Sequence, residues 1–571
     1  MTTRRLRPAV IAALAVAAMT SAPRAQQPEQ GPKPVARAAR AMVSASHPAV
    51  TRAMLDVLRA GGNAVDAVLT AVVLQPVLEP QMSTLAGGMS MLLYEAKTGT
   101  LHYLDAELDH TAKGAPIGTL TQAPGASGVA ETSGRRIGVP GTVAGLRAAA
   151  ERFGTLKWAD YFGPAIRTAE AGFPMYSFLY AEMADAAMGR LSAHASGRDE
   201  YLPEGIVPPV GVLVTRPRLA QTLRQLASDG PDYFYKGEWA RRFVDAVNRT
   251  GGTMTLEELG GYAARWEPPL RSTYRHYEIA SSPPPATAGT LIAMILNILE
   301  PIDLAKLPHF SDSARTLDLV RHAFALAEAN SEAYVKDPLS FNVPSDVLLS
   351  KPYAAMLTRL VEGSRPRIAP ASAGEPPRSD EPSAAGGMRH DPHYSDTNHL
   401  VAVDESGNWV SVTHTVYGST FATGLVVDGI GVNSGNGFPG TSLGKGRRVV
   451  SPFPPTMVLR DGRPHVVLGS PGLSSRAVAL VLVNLLGFGM DLDKAVDAPR
   501  FQGSGPGETF LVEARVPLAV RDELASYGVR VQPAAPYNWH FGSIQAVMRD
   551  PATGGLVGVA DPRRGGHAEG Y

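Results

Sequence analysis

Ser395-Asp396-Thr397-Asn398 closes a long loop, and Thr397 heads a run that reads as a strand. From His399 to Val403 the chain is apolar and β-branched. Asp404-Glu405-Ser406-Gly407-Asn408 is a turn, and Trp409 to Thr415 alternates again. Two strands about a Gly/Asn turn form a hairpin. Symmetry about Ser406 pairs Val403 with Trp409 and so Thr397 with Thr415, which sets two hydroxyls opposite each other. The chemistry open to such a pair is nucleophilic attack by oxygen. A threonine hydroxyl is weak and needs a base. The α-amine of a chain that begins at the threonine can serve, since its ordinary pKa of about 7.7–8.0 leaves a neutral fraction at pH 7. On spacing alone Thr397 remains an ordinary strand threonine.

The composition narrows the field. With 571 residues the chain is too long for one compact core of ordinary size, so two domains or one large layered fold are expected. Hydrophobic content of 44% and charged content of 19% are those of a globular protein. Lys+Arg and Asp+Glu both number 53, and no basic cluster suits nucleic acid. Cysteine is absent, which removes disulfides, thiolate zinc sites and a cysteine nucleophile together.

At the N-terminus, Arg4, Arg5 and Arg7 precede a small-residue apolar run from Pro8 to Ala18, then Ser21-Ala22 and Ala25-Gln26. This is a secretory signal pattern with cleavage near Ala22 or Ala25, so 1–25 is expected to be removed and the mature protein exported, periplasmic or secreted. The run falls short of the roughly 20 residues a membrane span needs.

Several further segments could position the hairpin. Val50 to Leu78 reads as two helices broken at Gly61-Gly62-Asn63, the second (Ala64 to Leu74) apolar nearly all round and therefore buried. Gly87-Gly88 reads as a turn into a strand. Gly138-Val139-Pro140-Gly141-Thr142 enters a helix that runs to about Phe153, with Arg135 and Arg136 just before it as candidates for reading an anionic substrate. Between Glu362 and Asp391, Pro, Ser, Gly and Ala dominate and apolar periodicity stops, as in a loop or linker. Asn433-Ser434-Gly435-Asn436-Gly437-Phe438 is a glycine-rich loop, and Ser451-Pro452 follows a short basic stretch. Val466 to Gly469 leads through Ser470-Pro471-Gly472-Leu473 into a helix. Backbone N–H groups at such a turn can hold an oxyanion, or the turn can simply connect two layers. His390, His393, His399 and His414 match no usual metal spacing.

Asp396-Thr397-Asn398-His399, Val412-Thr413-His414-Thr415, Thr420-Phe421-Ala422-Thr423-Gly424, the Gly87-Gly88 and Gly138–Gly145 segments, and Asp561-Pro562-Arg563 together resemble the γ-glutamyltransferase (glutathione hydrolase) family of N-terminal-nucleophile hydrolases. The resemblance covers nearly the whole mature chain. It implies an α/β four-layer αββα sandwich made of two fragments of one precursor, a large one (26–396) and a small one (397–571), which stay associated. It implies autocleavage between Asp396 and Thr397, an acyl-enzyme on Thr397, Thr415 orienting that hydroxyl, and an oxyanion hole at Gly472 and Leu473. Substrate contacts would come from Ser451, Asn436, Tyr417, Arg135, Arg136 and His399. No cofactor, metal or nucleic acid is expected, and the partner is a small amide or peptide substrate.

The departures bear on specificity. The family's donor-carboxylate arginine sits in a Phe-Arg-Glu segment. Here that place reads Leu104-Asp105-Ala106-Glu107-Leu108, with no arginine. The family's acid for the donor amino group is missing from Gly435-Asn436-Gly437-Phe438. A family asparagine is replaced near Tyr417-Gly418, and of a serine pair Ser451 remains beside Pro452. The expectation is therefore an amidohydrolase with a shifted acyl pocket, close to cephalosporin-acylase-like members. The rival from another class is an unprocessed binding homologue. A metal-dependent peptidase would need a ligand set that the sequence lacks.

Overall fold

The computed structural model describes residues 30–112, 130–363, 397–436, 446–472, 474–503, 505 and 508–571. Two antiparallel seven-stranded sheets lie face to face. The first sheet carries the hairpin at its centre. Its order is His567–Gly570, Met42–Ala45, Thr397–Val403, Trp409–Thr415, Gly88–Glu95, Thr100–Ala106, Arg265–Glu267. The second runs Ala36–Ala38, Leu556–Ala560, Gln545–Arg549, Arg463–Gly469, Thr456–Arg460, Tyr277–Ser281, Leu270–Tyr274. Met42, Leu92, Tyr103, Val401, Val403 and Trp409 of the first sheet meet Met457, Val467 and Val547 of the second in a dry core between them.

Each outer face is covered by helices. Pro48–Arg59 and Ala64–Leu78 pack on the first sheet, where Leu400, Ala402, Val410 and Val412 face them. Ala288–Leu299, Ala314–Tyr334 and Ser474–Leu482 cover the second, against Val458, Val466 and Leu468. Strand residues alternate between faces because the side-chain period is two. Both faces of the hairpin are buried, so all fourteen positions of its strands are enclosed. This is the four-layer αββα sandwich.

The helix Ala64–Leu78 is the sequence's buried helix, one turn longer than expected. It passes Pro76, with Asn63 and Asp66 forming a capping box at its start. The extra turn matters, because it carries Gln75 to the back of the hairpin. Thr255-Leu256-Glu257-Glu258 has the Thr-x-x-Glu pattern of a capping box, and Thr255 and Glu258 form one at the start of Leu256–Gly260. The signal pattern (1–25), nearly all of the Glu362–Asp391 linker with its His390, the following His393 and Asp396, and Phe438 and Leu473 lie outside the described residues.

Candidate active site

The hairpin register is the one counted from its turn: Val403 pairs Trp409 and Thr397 pairs Thr415. Extending each pair along the neighbouring strands gives rows that share the face toward the second sheet. One row is Val403, Trp409, Tyr94 and Leu101. The next is Val401, Ser411, Leu92 and Tyr103, then His399, Thr413, Ser90 and Asp105. The last is Thr397, Thr415 and Gly88, with Glu107 one position beyond the Met89–Ala106 pair. Side chains pass from apolar to polar along this axis, and the polar end is the candidate site.

Thr397 Oγ1 donates to Thr415 Oγ1 at 3.1 Å, and both residues are fully buried. Thr415 Oγ1 also accepts from Tyr417 N at 3.0 Å. Tyr417 sits at φ 58°, in the left-handed region, and turns its ring back over the row. Its hydroxyl donates to Glu107 Oε2, and its ring packs edge-on against Phe453. Gly87 and Gly88, where the strand Gly88–Glu95 begins, are both needed here. A Cβ on Gly87 would collide with the Thr415 carbonyl oxygen. On Gly88 it would lie 2.6 Å from Glu107 Oε2 and 2.7 Å from Tyr417 Cε2. Gly87 also gives its carbonyl to the N–H groups of Gly141 and Thr142, so the Gly138–Gly145 segment docks on it.

Behind the hairpin a polar network faces the helices. Ser46 Oγ lies 2.9 Å from Asn398 Oδ1 and 2.9 Å from Glu79 Oε2. Gln75 joins Glu79 and His414. Burial pushes the Glu79 carboxyl up to about 7 and holds His414 down at about 3. His399 lies on the opposite face, one row from Thr397. It is bonded to Thr413 Oγ1 at 2.9 Å and packed where a Gly469 side chain would be, and burial keeps it neutral with a pKa of about 3. It is therefore next to the hydroxyl pair but sealed between the sheets.

Gly472, at φ 72°, begins the helix turn beside Thr397. Arg564 links the two. Its Nη1 is 3.4 Å from the Thr397 carbonyl oxygen, and its Nη2 lies 3.3 Å from where a Gly472 Cβ would stand. Its guanidinium is placed over Phe178 and Trp539. Ser451 is buried and accepts from Thr287 N at 2.8 Å, and Pro452 O accepts from Ser474 Oγ at 3.0 Å, so this loop adjoins the same helix start.

Asn436 is placed near the site but is committed elsewhere. Its Nδ2 donates to Arg135 O at 2.8 Å and Thr111 Oγ1 at 3.1 Å, and its Oδ1 meets His110 Nδ1 and Thr111 N. It ties three loops together instead of presenting an amide to a pocket. Arg135 and Arg136 stand in the short turn Gly134–Arg136. The first is exposed and the second partly buried, and both give carbonyls to Asn436. The structure thus brings together Thr397, Thr415, Tyr417 and Gly472, and keeps the side chain of Asn436 for architecture.

Three residues to which the sequence reading gave no role matter. Glu107 is described above. Arg448, 1% exposed, donates to Asp105 Oδ2 at 3.0 Å, to Asp109, and to Ala263 O at 2.7 Å, and stacks on Tyr262. The segment that lacks the family's arginine therefore holds acids neutralised by a cation from 343 residues away. Asn433 stitches Ala86 and Gly138 together through its amide.

Residues 51–571 match the profile of the family described as Gamma-glutamyltranspeptidase. The glutathione hydrolase proenzyme of Bacillus subtilis (strain 168) is 32% identical, covering 93% of this chain and 91% of its own. The acylase ACY 1 proenzyme of Pseudomonas sp. (strain SE83) is 31% identical, covering 92% and 93%. The crystal structure of a cephalosporin acylase from Bacillus halodurans superposes with a TM-score of 0.79 at 25% identity, covering 97% of this chain and 99% of that one. A family profile over nine-tenths of the chain, joined to a two-sheet sandwich with a threonine at the head of its central hairpin, decides the matter: the chain belongs to the γ-glutamyltranspeptidase family and is an enzyme of that family.

Proposed function

We propose that the chain is an exported precursor that cuts itself at Asp396–Thr397 and works as an N-terminal-threonine amidohydrolase or acyltransferase. The observation that carries this reading is the 3.1 Å bond between the Thr397 and Thr415 hydroxyls at the head of the hairpin. In the precursor, Thr397 Oγ1 attacks the Asp396 carbonyl carbon. The amide nitrogen leaves as the new α-amine, an ester forms, and water hydrolyses it. The fragments 26–396 and 397–571 remain together, since Thr397–Val403 is bonded to strands of both. In the mature enzyme the α-amine takes the Thr397 hydroxyl proton, and the oxygen attacks a substrate amide. N–H groups at Gly472 and Leu473 hold the oxyanion. The leaving amine departs protonated, and water or a second amine resolves the acyl-enzyme.

The donor is an amide of the γ-glutamyl type, as the relatives named glutathione hydrolase suggest. Its end contacts are altered, because Asp105 and Glu107 occupy the segment that resembles the family's arginine site and Arg448 is already bonded to Asp105, Asp109 and Ala263. A cephalosporin-acylase-like substrate is the second reading, favoured by the full-length similarity to an acylase structure. Ser451, Tyr417, Arg135 and Arg136 are assigned to the substrate side, with His399 supporting the sheet beneath it. The signal pattern at 1–25 places the mature enzyme in the periplasm or outside the cell. Among the described residues no helix is long and apolar enough to cross a membrane.

A denaturing gel and mass spectrum of purified protein test the reading. Two fragments with Thr397 as a chain start, and an uncut, inactive Thr397→Ala variant, are expected. Active protein that is one unbroken chain would overturn it.

A further inference from the structure

Arg564 is 3% exposed and sits at the head of the hairpin. Its Nη1 donates to the Thr397 carbonyl oxygen at 3.4 Å and lies 3.6 Å from Met82 Sδ. The guanidinium carbon stands 5.6 Å from the Phe178 ring centre and 5.5 Å from that of Trp539, and the two rings meet edge-on. Such rings attract a cation and hold it in a fixed place. Phe178 and Met82 belong to the proposed large fragment, and Thr397, Trp539 and Arg564 itself to the small one. The charge is thus fixed from both fragments against one backbone carbonyl, and that carbonyl belongs to the residue proposed as the new chain start.

That charge acts on an amine carried by the same residue. The nitrogen and carbonyl oxygen of one extended residue are about 3.5 Å apart, so the guanidinium lies within about 7 Å of the Thr397 nitrogen. At that range a like charge in a partly screened site lowers an amine's pKa by about one unit or more. An α-amine at its ordinary value of about 7.7–8.0 is roughly a tenth to a sixth neutral at pH 7, and a drop of one unit makes about half of it or more neutral.

The neighbouring titratable groups leave this charge in force. Burial raises the Glu79 carboxyl to about 7, with the Arg564 charge pulling the other way, so below that pH the carboxyl keeps its proton and does not oppose the guanidinium. Burial keeps Glu107 protonated to about 8 and the Tyr176 and Tyr417 hydroxyls protonated well above their usual range. It holds His47 neutral, at about 4, and His399 and His414 neutral, at about 3. Glu182 is turned to Thr420 Oγ1, 2.8 Å away, and His540 is stacked on Trp539.

We infer that Arg564 is a positioning residue for the Thr397 base: it pins the carbonyl of that residue and keeps the new α-amine unprotonated, ready to take the hydroxyl proton. This rests on the proposed scission before Thr397.

The test titrates the amine itself. Purified, processed protein is labelled with acetic anhydride over a series of pH values, and mass spectrometry follows the peptide that starts at Thr397. In the unmodified enzyme the expected midpoint is at or below about 7. Arg564→Met should raise it by about one unit, and Arg564→Lys, which keeps the charge, should bring most of that back. The acid limb of kcat/KM, read with the p-nitroanilide donor that the enzyme hydrolyses, should move in step. A midpoint in the ordinary range in the unmodified enzyme, a midpoint that Arg564→Met leaves in place, or an amine that takes no label at any pH overturns the inference and leaves the scission chemistry standing. If Arg564→Met does not fold, the midpoint in the unmodified enzyme decides alone. A chain that stays whole on the gel overturns the Thr397 role first and this inference with it.

Discussion

Replacing Thr415 by valine isolates one oxygen. Valine keeps the β-branched shape that the strand favours. The ladder that pairs Thr415 with Thr397 and Gly88 is made by backbone groups and is retained. What disappears is the acceptor of two bonds, one from the Thr397 hydroxyl at 3.1 Å and one from Tyr417 N at 3.0 Å. Leaving the buried Tyr417 N–H unpaired costs about 1–3 kcal/mol of stability. Freeing the Thr397 hydroxyl costs an orienting bond worth about 1 kcal/mol in the ground state, and more where the oxygen must be aimed. Only the second loss reaches the barrier, and it predicts a fall of about 10-fold in both self-cleavage and turnover, since each 1.36 kcal/mol is about tenfold in rate; the first shows as a lowered melting temperature. Pulse-chase processing on denaturing gels measures self-cleavage, and donor hydrolysis by whatever fraction is cut measures turnover. Thr415→Ser restores the oxygen and should recover most of both. The reasoning fails if valine cleaves and turns over as fast as threonine, or if serine is as slow as valine.

Three further outcomes are expected. Gly87→Ala drives a methyl into the Thr415 carbonyl and should abolish processing or folding, whereas Gly88→Ala, which meets the ends of Glu107 and Tyr417, should fold with lowered stability, by about 1–3 kcal/mol; thermal melts and gels separate the two. Arg448→Met leaves Asp105 and Asp109 buried without their cation and should destabilise by about 3–5 kcal/mol, less at acid pH, where Asp109, its carboxyl raised by burial, takes up its proton, as denaturant titration at two pH values would show. Glu79 holds its proton to about 7 when folded against 4.5 as an ordinary carboxyl, so its stabilisation is complete below 4.5 and is lost as pH rises through 7. His399 and His414 act in the opposite sense, their contribution being present above 6.5 and lost as pH falls toward 3. The windows overlap between 4.5 and 6.5, where two histidines outweigh one carboxyl, so the melting temperature should rise to a maximum near 6.5, and Glu79→Gln should steepen that rise and remove the fall above it.

The hairpin was legible from the chain because its register follows from counting residues on either side of one turn. The helices before it were legible for the same local reason: Gly61-Gly62-Asn63 and the Thr255–Glu258 cap carry their geometry in a few neighbouring positions. Glu107, Arg448, Asn433 and Arg564 were not. Each gains its meaning from a partner more than a hundred residues away, as with Glu107 and Tyr417 or Arg448 and Asp105. Asn436 shows the converse. Its loop resembles a substrate loop, but its amide is spent on Thr111 and Arg135, which no spacing in the chain reveals. Gly87-Gly88 was read as a plain turn. The reason for both glycines became visible only when Thr415 and Glu107 were placed against them.

The four-strand face from Trp409 to Thr415 works as a graduated scale. At one end large apolar side chains lock the two sheets together, and at the other the row holds two hydroxyls, a glycine and an acid under the Tyr417 ring. On the proposed role of Thr397, substitutions confined to the terminal notch can redraw which acyl group fits without loosening the clamp three steps away. Relatives with different preferred substrates can thus descend from one scaffold by changing its rim and sparing its hinge of packed rings.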